Sequence, residues 1–311
     1  MAAMTTATLA PAASYDVDPL DFSLADRLAT RSVGKGRLLI GQAATSGMPA
    51  KPHSAAASVP TTRRADAAAS QSRTRPGLLF VPGGYHGAWC YAHYLDYFAR
   101  AGLPCAAVDV RGHGPLPQDA DFIHAHIADL AQDVIAALDA LDGPTVVVGH
   151  SVGALPTLLA ATQRSVAGIV LMAPSPPGNL PGARALPPVP EGVVRQPPAD
   201  SEVRARFLAT APDRDVSAVM RRLSPESPQV LNDRYLLRVP VAPAAITAPG
   251  LCLEAGLDSH DRHPPGQDQA IARLYGFDHA VLAGQPHCMM YGDHWQASAA
   301  AVLDWHRQQF G

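Results

Sequence analysis

Residues Gly149-His-Ser-Val-Gly153 separate two segments with different hydrophobic patterns. The apolar run 145–148 before them predicts a buried strand, and residues 154–162 after them are compatible with a helix. Glycines two before and two after Ser151 let the strand and the helix approach closely, so the turn can lift the serine hydroxyl clear of the sheet edge. The Val152 amide would then lie at a helix N-terminus, where partial positive charge stabilises an oxyanion. The pattern predicts an exposed nucleophilic serine.

A second interpretation stays open at this point, because the chain contains 25 glycines and a glycine-flanked serine is often only a turn. A nucleophilic Ser151 needs a base to take its proton, an acid to orient that base, and a second donor for the oxyanion. The rest of the sequence has to provide them.

Composition limits the classes of partner. The chain has 311 residues, 47% of them hydrophobic and 16% charged, and a net charge of −3. It can bury one large core or two modest ones, and it lacks the general basic surface that nucleic-acid binding requires. No apolar stretch approaches the roughly 18 residues that a membrane span needs. We expect a soluble globular protein that binds neither nucleic acid nor a membrane.

Cysteine usage and the N-terminal region bear on the compartment. The four cysteines have no CxxC spacing and lie mostly in or beside apolar segments, which predicts buried free thiols: Cys90, Cys105, Cys252 and Cys288. With no secretory signal pattern, the cytoplasm is the expected location. Arginines in 63–75 leave targeting to an organelle as an alternative, but the acidic residues at 16–26 argue against a transit peptide.

Organisation changes near residue 75. Residues 1–75 are rich in Ala, Ser, Thr and Pro and show little apolar periodicity, which predicts a disordered N-terminal extension. From residue 77, apolar runs alternate with helical patterns, and the strands are rich in Val, Leu and Ile. This predicts a doubly wound, mostly parallel α/β sheet, with its core in 76–174 and 246–311. Functional sites in such sheets lie at the carboxyl ends of strands.

The predicted elements of the core follow in chain order. Strands are expected at 78–81, 105–110, 145–148, 166–172 and 251–254, and helices at 91–101, 121–141 and 154–162. Residues 175–245 interrupt this alternation with many prolines and two short helical patches. An insertion of this size after a strand predicts a lid that shapes the substrate pocket, with a plain surface linker as the alternative.

Four segments together resemble the α/β-hydrolase fold family, in its serine-nucleophile branch, over about residues 77–309. Gly149–Gly153 is similar to the family's nucleophile elbow, and Asp109-Val-Arg-Gly-His-Gly114 to its D-x-R-G-H-G loop. The segment 249–258 resembles the strand that ends in G-x-x-D, and 284–290 resembles the loop that presents the catalytic histidine. The segments occur in the family's chain order.

The resemblance implies a Ser-His-Asp triad of Ser151, His287 and Asp258. His287 would take the proton of the serine hydroxyl and later protonate the leaving group, while Asp258 would fix its tautomer. Rivals for the base include His294, and rivals for the acid are Glu254, Asp261 and Asp278.

The loop Pro82-Gly-Gly-Tyr-His-Gly-Ala-Trp-Cys-Tyr91 resembles the oxyanion loop of the branch that contains plant methylesterases and hydroxynitrile lyases. The resemblance implies that the Gly84 amide joins Val152 around the oxyanion, and it places Tyr85 and His86 at the substrate pocket. Gly83 and Cys288 stand where hydroxynitrile lyases have a threonine and a lysine, which disfavours lyase activity.

These features predict a serine hydrolase that cleaves an ester or thioester of a small to medium hydrophobic substrate through an acyl-enzyme, with no metal or cofactor. Two alternatives remain. One is acyl transfer or C–C bond hydrolysis with the same triad, and the other is a ligand-binding or receptor protein on the same fold. The substrate is expected to be a small molecule, and the sequence leaves the oligomeric state open.

Overall fold

A computed structural model describes residues 17–41 and 75–311 of the chain. Its centre is an eight-stranded sheet in the order β1-β2-β4-β3-β5-β6-β7-β8. Strand β2 pairs antiparallel with both β1 and β4, and the other neighbouring strands pair in parallel. The strands are β1 Ala29–Val33, β2 Gly36–Ile40, β3 Gly77–Val81, β4 Cys105–Asp109, β5 Thr145–His150, β6 Gly168–Met172, β7 Gly250–Ala255 and β8 Asp278–Leu282. The prediction of a mostly parallel α/β sheet is confirmed.

Apolar side chains on both faces of the sheet explain why its central strands contain continuous runs of Val, Leu and Ile. Along β5, Val146 and Val148 join one core cluster while Val147 between them joins the cluster on the opposite face. Alternate residues of a strand point to opposite faces, so a strand covered on both sides needs apolar residues at every position.

Helices cover both faces. The α-helices are α1 Ala92–Arg100, α2 Ile127–Asp139, α3 Ala154–Ala161, α4 Asp200–Glu202, α5 Ser217–Met220, α6 Pro228–Tyr235, α7 Gln267–Tyr275 and α8 Trp295–Phe310. Helices α1 and α8 pack in one core cluster, and α2, α3 and α7 pack in the other. Among the residues described, no helix has the length and apolarity needed to cross a membrane.

Residues 17–41 differ from the predicted disordered extension over 1–75. They form the β1–β2 hairpin, and β2 pairs with β4 at the edge of the parallel sheet. Phe22 is buried and packs edge-on against Trp89, with ring centroids 4.7 Å apart. The apolar pattern of this segment is weak because four of the five residues of β1 are exposed and the apolar part of β2 is short. The rest of the predicted extension, 1–16 and 42–74, lies outside the described residues.

The helix predicted over 121–141 is divided. A 3₁₀ turn, Phe122–His124, is followed by extended backbone at Ala125 and His126, and α2 begins only at Ile127. The Asp129 carboxylate accepts a hydrogen bond from the His126 amide at 2.9 Å, which satisfies a free donor at the start of the helix. This cap therefore makes the helix begin at Ile127 and not at residue 121.

Strand order places the predicted site residues at one edge of the sheet. Strand β3 lies between β4 and β5 in the sheet. The chain passes from β3 to β4 on one side and then returns past β3 to β5 on the other. Such a reversal of strand order is the switch point where ligands bind in open α/β sheets. Gly84 follows β3 and Ser151 follows β5, while Asp258 follows β7 and His287 follows β8. The carboxyl ends of parallel strands meet at the same edge, so these four residues can converge.

Replacement of Phe22 should show that residues 17–41 belong to the folded domain. Phe22→Ala removes a ring that is 2% exposed, and its loss should cost about 3–5 kcal/mol of unfolding free energy, as for other buried Phe→Ala changes. Val17→Ala, at a position that is 46% exposed, is the control and should change stability little. Urea unfolding measures both, and equal midpoints for the two variants would contradict the packing described.

Candidate active site

Ser151 lies on a strained turn between β5 and the helical segment that leads into α3. Its φ is 51°, a left-handed conformation that is unusual for a residue with a side chain. The flanking glycines are needed sterically, because a Cβ at Gly149 would lie 2.5 Å from Thr157 Oγ1 and one at Gly153 would overlap the Pro82 carbonyl. The close approach of strand, loop and helix therefore fixes where the serine stands.

Two hydrogen bonds in series join Ser151 to His287 and His287 to Asp258. His287 Nε2 lies 3.0 Å from Ser151 Oγ, and His287 Nδ1 lies 2.5 Å from Asp258 Oδ2. The carboxylate accepts a hydrogen bond from Nδ1–H, which leaves the lone pair of Nε2 facing the serine hydroxyl. The structure thus brings Ser151, His287 and Asp258 together in the order that proton transfer from a serine requires.

Burial sets the protonation states of this group. Burial lowers the pKa of His287 below its ordinary value, against the opposing effect of Asp258. Burial alone would raise the pKa of Asp258, but the charge and hydrogen bond of His287 outweigh it and hold that pKa well below the usual range. At neutral pH the histidine is therefore unprotonated beside an ionised carboxylate, which is the state of a general base.

His150, next to the serine in sequence, holds the loop that carries His287. Its Nε2–H donates to the His287 backbone carbonyl at 2.9 Å, and burial keeps its pKa well below the ordinary value, so the ring is neutral. A Cβ at Gly83 would lie 2.8 Å from His150 Nδ1. His150 therefore links the elbow, the loop after β3 and the His287 loop.

The rival residues have other partners. His294 is exposed at the N-terminus of α8, and its carbonyl accepts from Gln285 Nε2 at 2.5 Å.

Glu254 pairs with His279 at 2.9 Å, and Asp278 accepts from Trp305 Nε1 at 3.1 Å. Asp261 accepts from the Ser259 hydroxyl at 2.5 Å. None of these contacts includes Ser151 or His287.

Gly84 and Val152, the predicted oxyanion donors, line the same cavity as Ser151. The loop that carries Gly84 is held by its neighbour Tyr85, whose φ is 68°. The Tyr85 amide donates to Glu226 Oε2 at 3.1 Å, and its carbonyl accepts from the Ser224 amide at 2.9 Å. Contacts from 175–245 therefore set the conformation of the loop after β3.

Both predicted substrate-binding residues, Tyr85 and His86, line this cavity, but the ring of His86 already has two protein partners. Its Nδ1 lies 2.8 Å from the Gly84 carbonyl and its Nε2 lies 2.9 Å from the Tyr291 hydroxyl. Burial lowers the pKa of His86 to about 4, so the ring is neutral. Nδ1–H then donates to the Gly84 carbonyl while Nε2 accepts from the Tyr291 hydroxyl, and His86 fixes the loop after β3.

The sequence analysis did not identify the buried pair of His113 and Glu226. Glu226 Oε2 lies 3.1 Å from His113 Nε2 and also accepts the Tyr85 amide, while Oε1 accepts the Ser227 amide at 2.9 Å. Burial alone would lower the pKa of His113, but the Glu226 carboxylate outweighs it and raises that pKa. His113 belongs to the 109–114 motif, whereas nothing in the sequence marked Glu226.

Asp109, the first residue of that motif, ties the loop after β3 to the edge of the sheet. Its Oδ1 accepts from the Ala88 amide at 2.7 Å, and its Oδ2 accepts from Arg37 Nε and Nη2 at 2.9 and 2.6 Å. Gly87 leaves room for this contact, since a Cβ there would lie 2.5 Å from Asp109 Oδ1. The β2 strand thereby supports the candidate site.

A cavity of about 70 Å³, partly open to solvent, lies in front of Ser151. Three arginines and a histidine also line it: Arg206, Arg234, Arg262 and His263. Arg206 and Arg234 belong to the insertion that was predicted to shape the substrate pocket, but no local pattern marked the individual residues, because α6 and the loop after Asp258 come together only in the tertiary fold.

Within the described residues, one cluster has the composition of a metal site. Ligand atoms of Asp258, His263 and His287 lie within 4.8 Å of one another. His263 Nε2 is 3.7 Å from Asp258 Oδ2, beyond hydrogen-bond distance. An ion at this position would compete with the bond between His287 and Asp258, so the cluster suits an inhibitory ion better than a catalytic one.

The fold and the site define a class of protein. The model of the alpha/beta hydrolase family matches residues 78–301, which is well over half of the chain. The chain belongs to the alpha/beta hydrolase family.

Relatives within this family are distant. Methylesterase 9 of Arabidopsis thaliana is 31% identical over 85 residues. The match spans 27% of this chain and only 33% of that protein's length. Among solved structures, a methylesterase from Arabidopsis superposes with a TM-score of 0.60 and 19% identity over 74% of this chain and 98% of its own. Tomato methylketone synthase I superposes with a TM-score of 0.57 and 15% identity, over 76% of this chain and 99% of the synthase. At these identities the structural matches establish the fold.

The pH dependence of activity should report the neutral state of His287. Only unprotonated imidazole can accept the serine proton, and the pKa of His287 is lowered from 6.5 by burial. For a chromogenic ester, kcat/KM should therefore rise with pH through a midpoint below 6.5 and then level off. His279→Ala, distant from Ser151 in the Glu254 pair, should keep the same midpoint, whereas a wild-type midpoint above 6.5 would contradict this protonation state.

Glu226→Gln should weaken the support of the oxyanion loop. The substitution keeps the shape of the side chain but removes the charge that faces buried His113, and breaking a buried pair in this way should cost about 3–5 kcal/mol of stability. Residual folded enzyme should also show a lower kcat, because Gly84 precedes the Tyr85 amide that Glu226 holds. Glu191→Gln, at an exposed glutamate of the same insertion, is the control, and equal unfolding midpoints would refute the role of Glu226.

Proposed function

We propose that this protein is a serine hydrolase that cleaves carboxylic esters of small substrates through an acyl-enzyme. The observation that carries the proposal is the 3.0 Å contact between Ser151 Oγ and the neutral Nε2 of His287, together with the bond from His287 to Asp258. A hydroxyl placed against an oriented base in a small cavity is the arrangement that nucleophilic catalysis requires.

The chemistry follows from the positions of these atoms. Ser151 Oγ attacks the ester carbonyl carbon while His287 Nε2 takes the hydroxyl proton, and the amides of Gly84 and Val152 donate to the oxyanion that forms. The intermediate collapses as His287 returns the proton to the departing alcohol. Water then attacks the acyl-enzyme, His287 takes a proton from it, and the acid leaves with Ser151 restored. Asp258 stays ionised and stabilises the imidazolium in both halves.

Relatives named as methylesterases favour an ester over the other bonds that this arrangement can cleave. A small alcohol as leaving group also suits the limited volume of the cavity. A thioester would pass through the same steps. No contact among the described residues favours acyl transfer, C–C hydrolysis or ligand binding without turnover.

We also propose that residues 175–245 act as the lid of this site. Side chains from this segment line the cavity together with Ser151, among them Leu186, Phe207 and Leu231. Their apolar character suits a hydrophobic part of the substrate. The same segment contacts the loops around Ser151 through its backbone, so its conformation and the geometry of the site are linked.

Removal of the base should abolish turnover. His287→Ala leaves the serine hydroxyl without an acceptor, and kcat for 4-nitrophenyl butyrate should fall by roughly 10³-fold or more, as for other triads. Ser151→Ala should fall by a similar factor, and a fluorophosphonate should label the wild-type protein at Ser151 only. His294→Ala is the matched control and should retain activity. If His294→Ala were inactive and His287→Ala active, the base would be misassigned.

A further inference from the structure

We infer that the ester substrate carries a carboxylate, and that the buried and unpaired guanidinium of Arg234 binds it beside Ser151. The inference rests on the proposed hydrolase function, because it assigns the substrate class of the same cavity. The observation behind it is a charged side chain that folding has placed inside the protein without a counter-ion.

Arg234, in α6, is 5% exposed and lines the cavity in front of Ser151. Its Nη1 has no hydrogen-bond partner, and its Nη2 makes one long contact of 3.5 Å with the Arg262 carbonyl. Within the described part of the chain, no carboxylate forms an ion pair with this guanidinium. Burial lowers its pKa to about 10, so it still carries its charge at neutral pH.

The other charged groups around the cavity do not neutralise Arg234. Arg262 donates to the Tyr235 hydroxyl at 2.8 Å and lies over the Tyr235 ring, with 5.2 Å to its centroid. Arg206 pairs with Glu202, a partly exposed residue of the same turn. Among the acids, Asp258 is bonded to His287 and exposed Asp261 to Ser259. The wall of the cavity therefore has an excess of positive charge.

A buried arginine without a partner is rare because removing a charge from water is costly unless hydrogen bonds replace the water. A carboxylate matches the planar guanidinium, since its two oxygens can accept two parallel N–H bonds. Arg234 Nη1 is free for such a bond, and the side chain lines the cavity that the ester would occupy. A substrate carboxylate would thus provide the missing counter-ion.

The dimensions of the cavity limit the distance between the two groups. Ser151, Gly84 and Arg234 line the same small cavity of about 70 Å³, so a molecule that reaches the serine lies close to the guanidinium. The carboxylate then lies a few bonds from the ester carbonyl. A half-ester of a short dicarboxylic acid has this chemistry on the acyl side, and an ester of a hydroxy acid has it on the alcohol side.

Two matched pairs of substrates test the inference. On the acyl side, the 4-nitrophenyl half-ester of glutaric acid is compared with 4-nitrophenyl pentanoate, which has the same chain length but no charge. On the alcohol side, 4-butyryloxybenzoate is compared with 4-butyryloxybenzamide. In at least one pair, the ratio of kcat/KM for the anionic over the neutral ester should fall by about 10- to 100-fold in Arg234→Met, which is the effect of one charged hydrogen bond.

Controls separate charge recognition from other causes. Arg238→Met, at an exposed arginine just after α6, should leave both ratios at the wild-type value. Arg234→Lys should restore part of the ratio, because lysine keeps the charge but lacks the planar fork. Ratios that are unchanged in Arg234→Met for both pairs would overturn the inference.

A binding measurement covers the case in which Arg234→Met does not fold. In Ser151→Ala, glutarate should raise the melting temperature, whereas pentanamide at the same concentration should not. Equal effects of the two ligands would also overturn the inference. Turnover of 4-nitrophenyl pentanoate and fluorophosphonate labelling of Ser151 test the hydrolase function independently, so failure of that function can be distinguished from failure of charge recognition.

Discussion

Backbone hydrogen bonds from the insertion 175–245 hold the three loops on which the candidate site depends. The Ser175 amide donates to the Ser151 carbonyl at 3.0 Å, the Ser224 amide to the Tyr85 carbonyl at 2.9 Å, and the Phe207 carbonyl accepts from the Cys288 amide at 3.0 Å. Each bond joins the insertion to a residue at or next to a proposed catalytic group. Because proton transfer needs positions accurate to a fraction of an ångström, the segment proposed as the lid also sets the geometry of the site.

Charged side chains continue this support beneath the loop after β3. Glu226 reaches from the insertion to the Tyr85 amide and to His113, and Asp109 bonds the Ala88 amide on the other side of the same loop. Both carboxylates are almost fully buried and each has a basic partner, His113 or Arg37, so their desolvation is offset by good hydrogen bonds. The two carboxylates therefore hold the loop that carries the Gly84 amide, one at Tyr85 and the other at Ala88.

Sequence reasoning was most informative where the signal is local. Parallel strands bring the loops that follow them to one edge of the sheet. Asp258 and His287 were assigned through the resemblance to a known family, whereas the turn at Ser151 could be predicted from its own local pattern. The β1 strand could not, because an edge strand with exposed residues has no apolar pattern. Glu226 and Arg234 could not either, since the role of Glu226 depends on partners more than a hundred residues away and that of Arg234 on the lack of a counter-ion among the described residues. Burial of a charge is a tertiary property.

The arginines that line the cavity also bear on how the reaction ends. Ester hydrolysis creates a carboxylate at the acyl carbon, so the acid that forms beside Arg206, Arg234 and Arg262 has one more negative charge than the ester it came from. The electrostatic attraction is then stronger for the product than for the substrate. Departure of the acid, rather than bond cleavage, would set the turnover rate, and anions in the surrounding solution would slow the enzyme by occupying the same guanidinium groups.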